Sequence, residues 1–406
     1  MTILKINKKI LSDIMLSIMS SIIPIFILQF FILPLVSMRL GDSDYGIVVT
    51  IISYINVLPS AMGNVLNNIR LIRNNEYIQK NIEGDFNVIF CATCLVNIVA
   101  LLIFVNVYNF EISVSTWLLI CFLSFLVSGY EYYNVVFRIT LDYKSTFICN
   151  LSLSVGYCIG YVIFFFTNMW PSIYACGYLL ALAYIFFKSN FWREKYCITE
   201  MFKGTLIEST TLFIAGLISR LINYADKLLI YPVLGGEEVA VYYAASIIGK
   251  MISMLISPIS NVVLSYLAKM KRKKDNIFWM VLAVVGCIGV VGYFICVFLS
   301  KYILLIIYPQ YMDRALNYIP ITTATAVTTA IIGIMNPFVL KFVDMKWQIV
   351  INSMTLAAYV IMSLGLLNNI GMIGFCWGVF AANLLKLILV IMIYIKESRK
   401  QNVDKE

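Results

Sequence analysis

Histidine is absent from the 406-residue chain. That removes the commonest general base near neutral pH and the commonest metal ligand, so serine–histidine and cysteine–histidine nucleophilic pairs and histidine-ligated metals are excluded. Charge is scarce too. Asp, Glu, Lys and Arg make up 13% of the residues, about half of what a soluble domain carries. Cysteine occurs ten times, almost wholly inside apolar stretches. Cys91 and Cys94 form a CxxC with no second pair at zinc-ligand spacing and no thioredoxin-like βαβ setting, so they read as small inert hydrophobes. No cofactor and no metal site is indicated.

What fills the chain is apolar: 61% of residues are hydrophobic and the mean hydropathy is +0.90. A soluble domain could not bury that fraction and stay dispersed, so the sequence specifies an all-α integral membrane protein. Apolar runs near the length needed to cross a bilayer, about 20 residues, recur at 14–36, 47–62, 86–106, 116–136, 146–167, 171–187, 210–234, 239–256, 277–298, 318–339, 347–367 and 373–394, twelve in all. The first run is too long for the core of a signal peptide and has no small-residue cleavage site after it. It reads as a first span that stays.

The net charge is +9, and its location matters more than its size. With the N-terminus inside, the inward segments hold 23 of the 30 Lys and Arg, while the outward loops hold only Arg39, Lys301 and Arg314. Both termini are therefore expected in the cytoplasm, and the basic balance marks topology rather than nucleic-acid binding. The densest basic run, Lys269 and Lys271 to Lys274, reads as the same signal lying against anionic lipid.

The longest polar interruption, 188–209, reads as a cytoplasmic linker between two six-helix lobes, 1–187 and 210–406, the second ending in a short cytoplasmic tail. Leu-Gly followed by two acids recurs at the first outward turn of each half, in LGDSDYG from Leu40 and LGGEEVA from Leu234. Six spans is an even number, so the second half re-enters from the same side as the first. The halves are then parallel repeats related by a pseudo-two-fold along the membrane normal, with any shared site near the midplane.

One span stands apart. The stretch 210–234, TTLFIAGLISRLINYADKLLIYPVL, carries Arg220, Asp226 and Lys227 at membrane depth, where each charge costs about 2.5–3.5 kcal/mol by insertion scales. Arg220, Asn223, Tyr224 and Lys227 fall at i, i+3, i+4 and i+7, on one helix face. Lys250 shares a face with Ser246, Ser253 and Ser257. Other stripes join Ser53, Asn56, Ser60, Asn64 and Asn67; Ser124, Ser128 and Glu131; and Thr322, Thr325, Thr329 and Asn336. Small polar stripes alone serve helix packing, whereas a charge within one requires a partner or a wet cavity. Lys386 lies close enough to an inner end to snorkel. Glu131 and Asp226, the two acids within spans, are candidates for proton or sodium coupling, with charge pairing as the alternative for each. Pairing with Asp226 is likewise the alternative to substrate contact for Arg220 and Lys227. Prolines at 24, 34, 232, 258 and 337 mark kinks or helix ends.

Twelve spans with both ends inside, the MRLGDSDYG turn, and the run RLINYADKLLIYPVLGGEEVAVYYAAS resemble the polysaccharide-type exporters of the MOP (multidrug/oligosaccharidyl-lipid/polysaccharide) superfamily, in particular Wzx-type O-antigen or capsule repeat-unit flippases. The likeness spans the whole chain in layout, with Asp226 and the Tyr242–Ala245 cluster as its local marks. It implies a V-shaped pair of six-helix lobes in a bacterial inner membrane. Such a protein passes an undecaprenyl-pyrophosphate-linked oligosaccharide to the outer leaflet by alternating access, beside a polymerase and a chain-length regulator in lipopolysaccharide or capsule assembly. A cavity lined by Arg220, Lys227 and Lys250, with Asn64, Asn223 and Tyr224, would suit a pyrophosphate and its sugars. The rivals are a multidrug exporter of the same superfamily, which would favour an acidic cavity, and a membrane polymerase or ligase, which would need a large outward loop. Neither feature is in the sequence, so transport rather than catalysis is expected.

Overall fold

Spans of this composition satisfy their backbone in lipid by intrahelical hydrogen bonds. In the computed structural model of the protein every regular element is a helix among the described residues, which are 16, 19–190, 193–268, 275–343 and 345–403. In chain order these are α1 (Met19–Leu40), α2 (Asp42–Val57), α3 (Pro59–Lys80), α4 (Asp85–Tyr108), α5 (Val114–Tyr133), α6 (Val135–Ile139), α7 (Tyr143–Thr167) and α8 (Pro171–Lys188). They are followed by α9 (Phe202–Ala268), α10 (Asp275–Ile307), α11 (Met312–Leu316), α12 (Ile319–Phe342), α13 (Met345–Ile370) and α14 (Met372–Val403). Among the described residues ten stretches of helix are long and apolar enough to cross a membrane, α2 and α3 counting as one, and a bent pair in α9 makes eleven. Hydropathy alone expects twelve. The difference lies in the seventh and eighth runs, which α9 joins with only Gly235 out of helical conformation.

Local sequence explains the breaks. Pro34 has no N–H to offer the Phe30 carbonyl, and α1 widens into a π-helical stretch, Ile27–Ile32, just before it. Pro59 separates α2 from α3 at Leu58. Helices α3, α4 and α7 end on Asn81, Asn109 and Asn168 at φ 53°, 49° and 58°, a left-handed conformation that asparagine tolerates better than most residues. Helix α7 starts on Asp142, whose carboxylate accepts from the Ser145 N–H at 3.0 Å and hydroxyl at 2.7 Å.

The chain forms two compact units, Met1–Pro232 and Val233–Glu406. This division falls later than the 188–209 linker of the sequence reading, and the reason is electrostatic. Arg70 binds Glu194 in bidentate fashion, at 3.0 and 2.5 Å, Arg73 binds Glu208 likewise, and Lys80 meets Glu200 at 2.9 Å. Asp85, fully buried, accepts from the Tyr77 hydroxyl at 2.9 Å and from the Thr199 N–H and hydroxyl at 2.7 and 2.5 Å. The segment's carboxylates thus meet successive cations of α3, and the early part of α9 joins the first unit.

Within each unit, helices approach through glycine. A Cβ at Gly160 of α7 would lie 2.4 Å from the Ser172 carbonyl oxygen, and one at Gly374 of α14 would lie 2.1 Å from that of Leu366. Close backbone packing of this kind drives helix association where lipid is as apolar as the side chains. A core of the second unit sets Phe278 stacked on Tyr394 at 3.8 Å between centroids, with Phe338 edge-on to both, among aliphatic side chains such as Met335, Val339, Ile351 and Val390.

Candidate substrate site

From Pro59 a polar face runs along α3 at helical spacing, through Ser60, Asn64, Asn67 and Asn68, with Asn56 at the end of α2 extending it. Gly63 lets α5 lie directly against this face. A Cβ there would stand 2.4 Å from the Ser128 carbonyl oxygen and 2.8 Å from Glu131 Cβ. The contact sets Glu131 on the polar stripe: Ser60 Oγ donates to its Oε1 at 3.1 Å, and Asn67 Nδ2 donates to its main-chain carbonyl at 2.8 Å. Asn64 flanks the same carboxylate. Ser128 ties the helices further, donating to the Pro59 carbonyl at 3.0 Å and accepting from Asn97 at 3.1 Å.

Arg220 reaches this cluster from α9. Its Nη1 donates to the Asn56 carbonyl at 2.9 Å and to Ser60 Oγ at 2.8 Å. Ser60 therefore accepts from the arginine and donates to the acid, so one hydroxyl bridges two opposite charges at membrane depth. Both N–H groups of Nη1 are used, while the Nε–Nη2 edge has no hydrogen bond among the described residues. Such an edge is the half of a guanidinium that grips a carboxylate or phosphate through two parallel bonds.

The other residues expected at the site divide. Asp226 and Lys227 form an ion pair and are both buried, at 8% and 4% exposure, and the Lys227 N–H also donates to Asp226 Oδ1 at 3.0 Å. Each charge offsets the other, as the pairing alternative requires. Tyr224 is half-buried within range of Arg220 and Glu131, and Asn223 is exposed. The side chain of Lys250 lies outside the described residues, as do Ser253, Ser257 and the Lys269–Lys274 cluster. Several small polar stripes close on their own helices: Ser53 on the Val49 carbonyl, Thr325 on Ile321, Thr328 on Ala324 and Thr329 on Thr325, at 2.8–2.9 Å. Back-bonding of this kind satisfies a hydroxyl locally and serves packing.

Arg138 of α6 escaped the sequence reading, which counted it only as a topology charge. It donates from Nη1 to Asn67 Oδ1 at 2.5 Å and to Asn68 Oδ1 at 2.8 Å, and Asn68 Nδ2 passes on to Asn64 Oδ1 at 3.1 Å. Its spacing of seven from Glu131, two helical turns, was the signal available. No group of three acids or cysteines is placed to hold a metal ion among the described residues.

A model of the family described as polysaccharide biosynthesis protein matches residues 10–271. The chain belongs to this family. Its fold is similar to that of an inward-facing multidrug resistance MATE family transporter of the MOP superfamily, with 12% identity and a TM-score of 0.64 over 94% of this chain and 99% of the other. It is equally similar to the lipid II flippase MurJ in an inward closed conformation, with 13% identity and a TM-score of 0.64 over 97% and 89%. The Vibrio cholerae MATE transporter VcmN in its bent form gives 14% and 0.61 over 98% of both chains. No curated protein matches by sequence. At these identities the likeness is one of fold: this family member is a multi-pass membrane protein built as MOP-superfamily transporters are.

Proposed function

We propose that the protein is a flippase that carries an undecaprenyl-pyrophosphate-linked oligosaccharide, an O-antigen or capsule repeat unit, from the cytoplasmic to the outer leaflet by alternating access. It works in the bacterial inner membrane with both termini in the cytoplasm, beside the polymerase and chain-length regulator that use its product, and it catalyses no bond change. The observation that carries this reading is Arg220, held in place through Nη1 with its Nε–Nη2 edge uncommitted. Membership of a polysaccharide biosynthesis family supports the choice of substrate.

Moving a pyrophosphate through low dielectric is costly unless its charge is compensated. Arg220 supplies that compensation, with its plane set by Asn56 and Ser60, while Asn64, Asn223 and Tyr224 offer neutral donors and acceptors to sugar hydroxyls. Glu131 modulates the arginine through Ser60. As a carboxylate it competes for the guanidinium's charge; once neutralised by a proton or a bound cation, it leaves that charge to the substrate. A cation gradient acting at Glu131 therefore alternates tight and weak hold. The buried Asp226–Lys227 pair keeps the same helix electrically neutral nearby.

The test is surface glycan display in a strain lacking its own flippase, with membrane levels of each variant measured in parallel. Arg220→Ala should abolish display, and Arg220→Lys should leave less than about a tenth of it, because an ammonium cannot copy bidentate binding. Normal display from Arg220→Ala would sink the proposal. The MATE-like fold favours multidrug export as the second reading; it would appear as dye efflux without glycan display.

A further inference from the structure

Two arginines meet the polar face of the α2–α3 segment in the same manner. Arg220 spends both N–H groups of Nη1 on Asn56 and Ser60, and Arg138 spends both of its own on Asn67 and Asn68. In each case the acceptors are neutral oxygens, the plane of the guanidinium is fixed, and the Nε–Nη2 edge is left uncommitted among the described residues. Neither forms an ion pair there, in contrast to Arg70, Arg73 and Arg314, which are all bound to glutamates. Arg138 is also exposed at the end of its span. A positive-inside charge needs no such mounting, since any exposed lysine or arginine satisfies that rule.

We propose that Arg138 is a second anion station for a phosphate-bearing lipid headgroup, at the inner end of the face whose deeper station is Arg220. This deepens the flippase reading and rests on it. Ser60 and Asn68 are eight residues apart in sequence, which is about 12 Å along a helix. A pyrophosphate is much shorter than that, so it occupies the stations in turn rather than together. Between them lies Asn64, whose amide is held by Asn68 on one side and flanks Glu131 on the other. The face thus offers fixed cations at its two ends, and an anion leaving Arg138 passes the neutral amides of Asn67, Asn68 and Asn64 before it meets the Glu131 carboxylate beside Ser60. The headgroup held at Arg138 has two sources, the pyrophosphate of the lipid-linked substrate or the phosphodiester of an anionic phospholipid, and the same guanidinium edge fits both.

The test is binding to the full-length protein in nanodiscs, with undecaprenyl pyrophosphate as the probe in zwitterionic lipid and with phosphatidylglycerol as the probe in a second set. Arg138→Ala is expected to weaken binding of at least one probe about tenfold, the loss of a bidentate charge-assisted contact. Arg138→Lys should do nearly the same, although it preserves the topology charge. The Asn67→Ala/Asn68→Ala variant, which keeps the arginine but frees it, should lie between. Loss confined to undecaprenyl pyrophosphate assigns the station to the substrate, and loss confined to phosphatidylglycerol assigns it to bilayer lipid. Wild-type binding of both probes by Arg138→Ala and Arg138→Lys overturns the station. If Arg220→Ala still loses the pyrophosphate probe in that case, the flippase reading stands alone; if Arg220→Ala also binds normally, both fall.

Discussion

Gly41 and Gly235 adopt the same backbone conformation, φ 81° and ψ 173° in the first, φ 80° and ψ −179° in the second. They are the glycines of the two Leu-Gly-acid turns, one between α1 and α2 and the other inside α9. This region of backbone space is essentially closed to residues with a Cβ. Because no atom beyond the adjoining chain lies within 4 Å of where a Cβ would stand at either position, the cost of substitution is conformational. Gly41→Ala and Gly235→Ala should each destabilise the purified protein by about 1–3 kcal/mol. Asparagine should rescue neither, since a ψ near 180° lies outside the left-handed helical well it favours. Thermal unfolding in detergent measures both, and alanine variants as stable as the parent would refute the claim.

Gly63→Ala attacks the site through packing. The new methyl would meet the main-chain oxygen of Ser128 and the Cβ of Glu131, and neither is the tip of a flexible side chain. Helices α3 and α5 must part, lengthening the Ser60–Glu131 bond. Glycan display should fall at least about tenfold even when the variant accumulates in the membrane, since overpacking of this sort costs about 1–3 kcal/mol. Full display at normal protein level would show that the Ser60 bridge is dispensable.

Two ion pairs on α3 should differ sharply. Arg70 and Glu194 are nearly buried, with side chains 6% and 12% exposed, whereas Lys80 and Glu200 are 51% and 70% exposed. Removing Glu194 takes the bidentate carboxylate from a buried guanidinium, so Glu194→Ala should cost about 3–5 kcal/mol. Lys80→Ala should cost less than about 1 kcal/mol. Equal losses in a chemical unfolding series would mean that the 188–209 segment is not anchored where the geometry places it.

The cap of α7 gives a pH-dependent prediction. The Ser145 hydroxyl, and then its N–H, hold the Asp142 carboxyl below the ordinary aspartate range. A carboxyl lowered in the folded state stabilises above its unfolded value, near about 3.9, and that contribution disappears as pH falls through the folded value. Asp142→Ala should therefore cost about 0.5–1 kcal/mol at neutral pH, the low end for a cap because solvent screens it. The gap between parent and variant should close in acid, and a gap that stays constant down to the lowest pH at which the protein folds would contradict the assignment.

Much of this was legible in the residues. The apolar runs dictated helices because lipid leaves the backbone no other partner, and the stripe from Asn56 to Asn67 was visible as a period near four. The paired Leu-Gly turns were visible too, as words without a conformation. Arg220, Glu131 and Ser60 could each be picked out as polar groups at membrane depth. Their association could not, since Glu131 and Arg220 are 89 positions apart in the sequence and local periodicity carries no information over that distance.

The sequence by itself determined the class of the protein, its membrane helices and the polar character of a few of their faces, because hydropathy and helical spacing are properties of neighbouring residues. Tertiary structure alone decided which charges meet. It placed a serine between Arg220 and Glu131, turned a topology arginine onto two asparagines, and tied the 188–209 segment to α3. Each of those choices depends on a close approach between parts of the chain far apart in sequence, such as the one Gly63 permits, and distance in space is what a linear pattern does not encode.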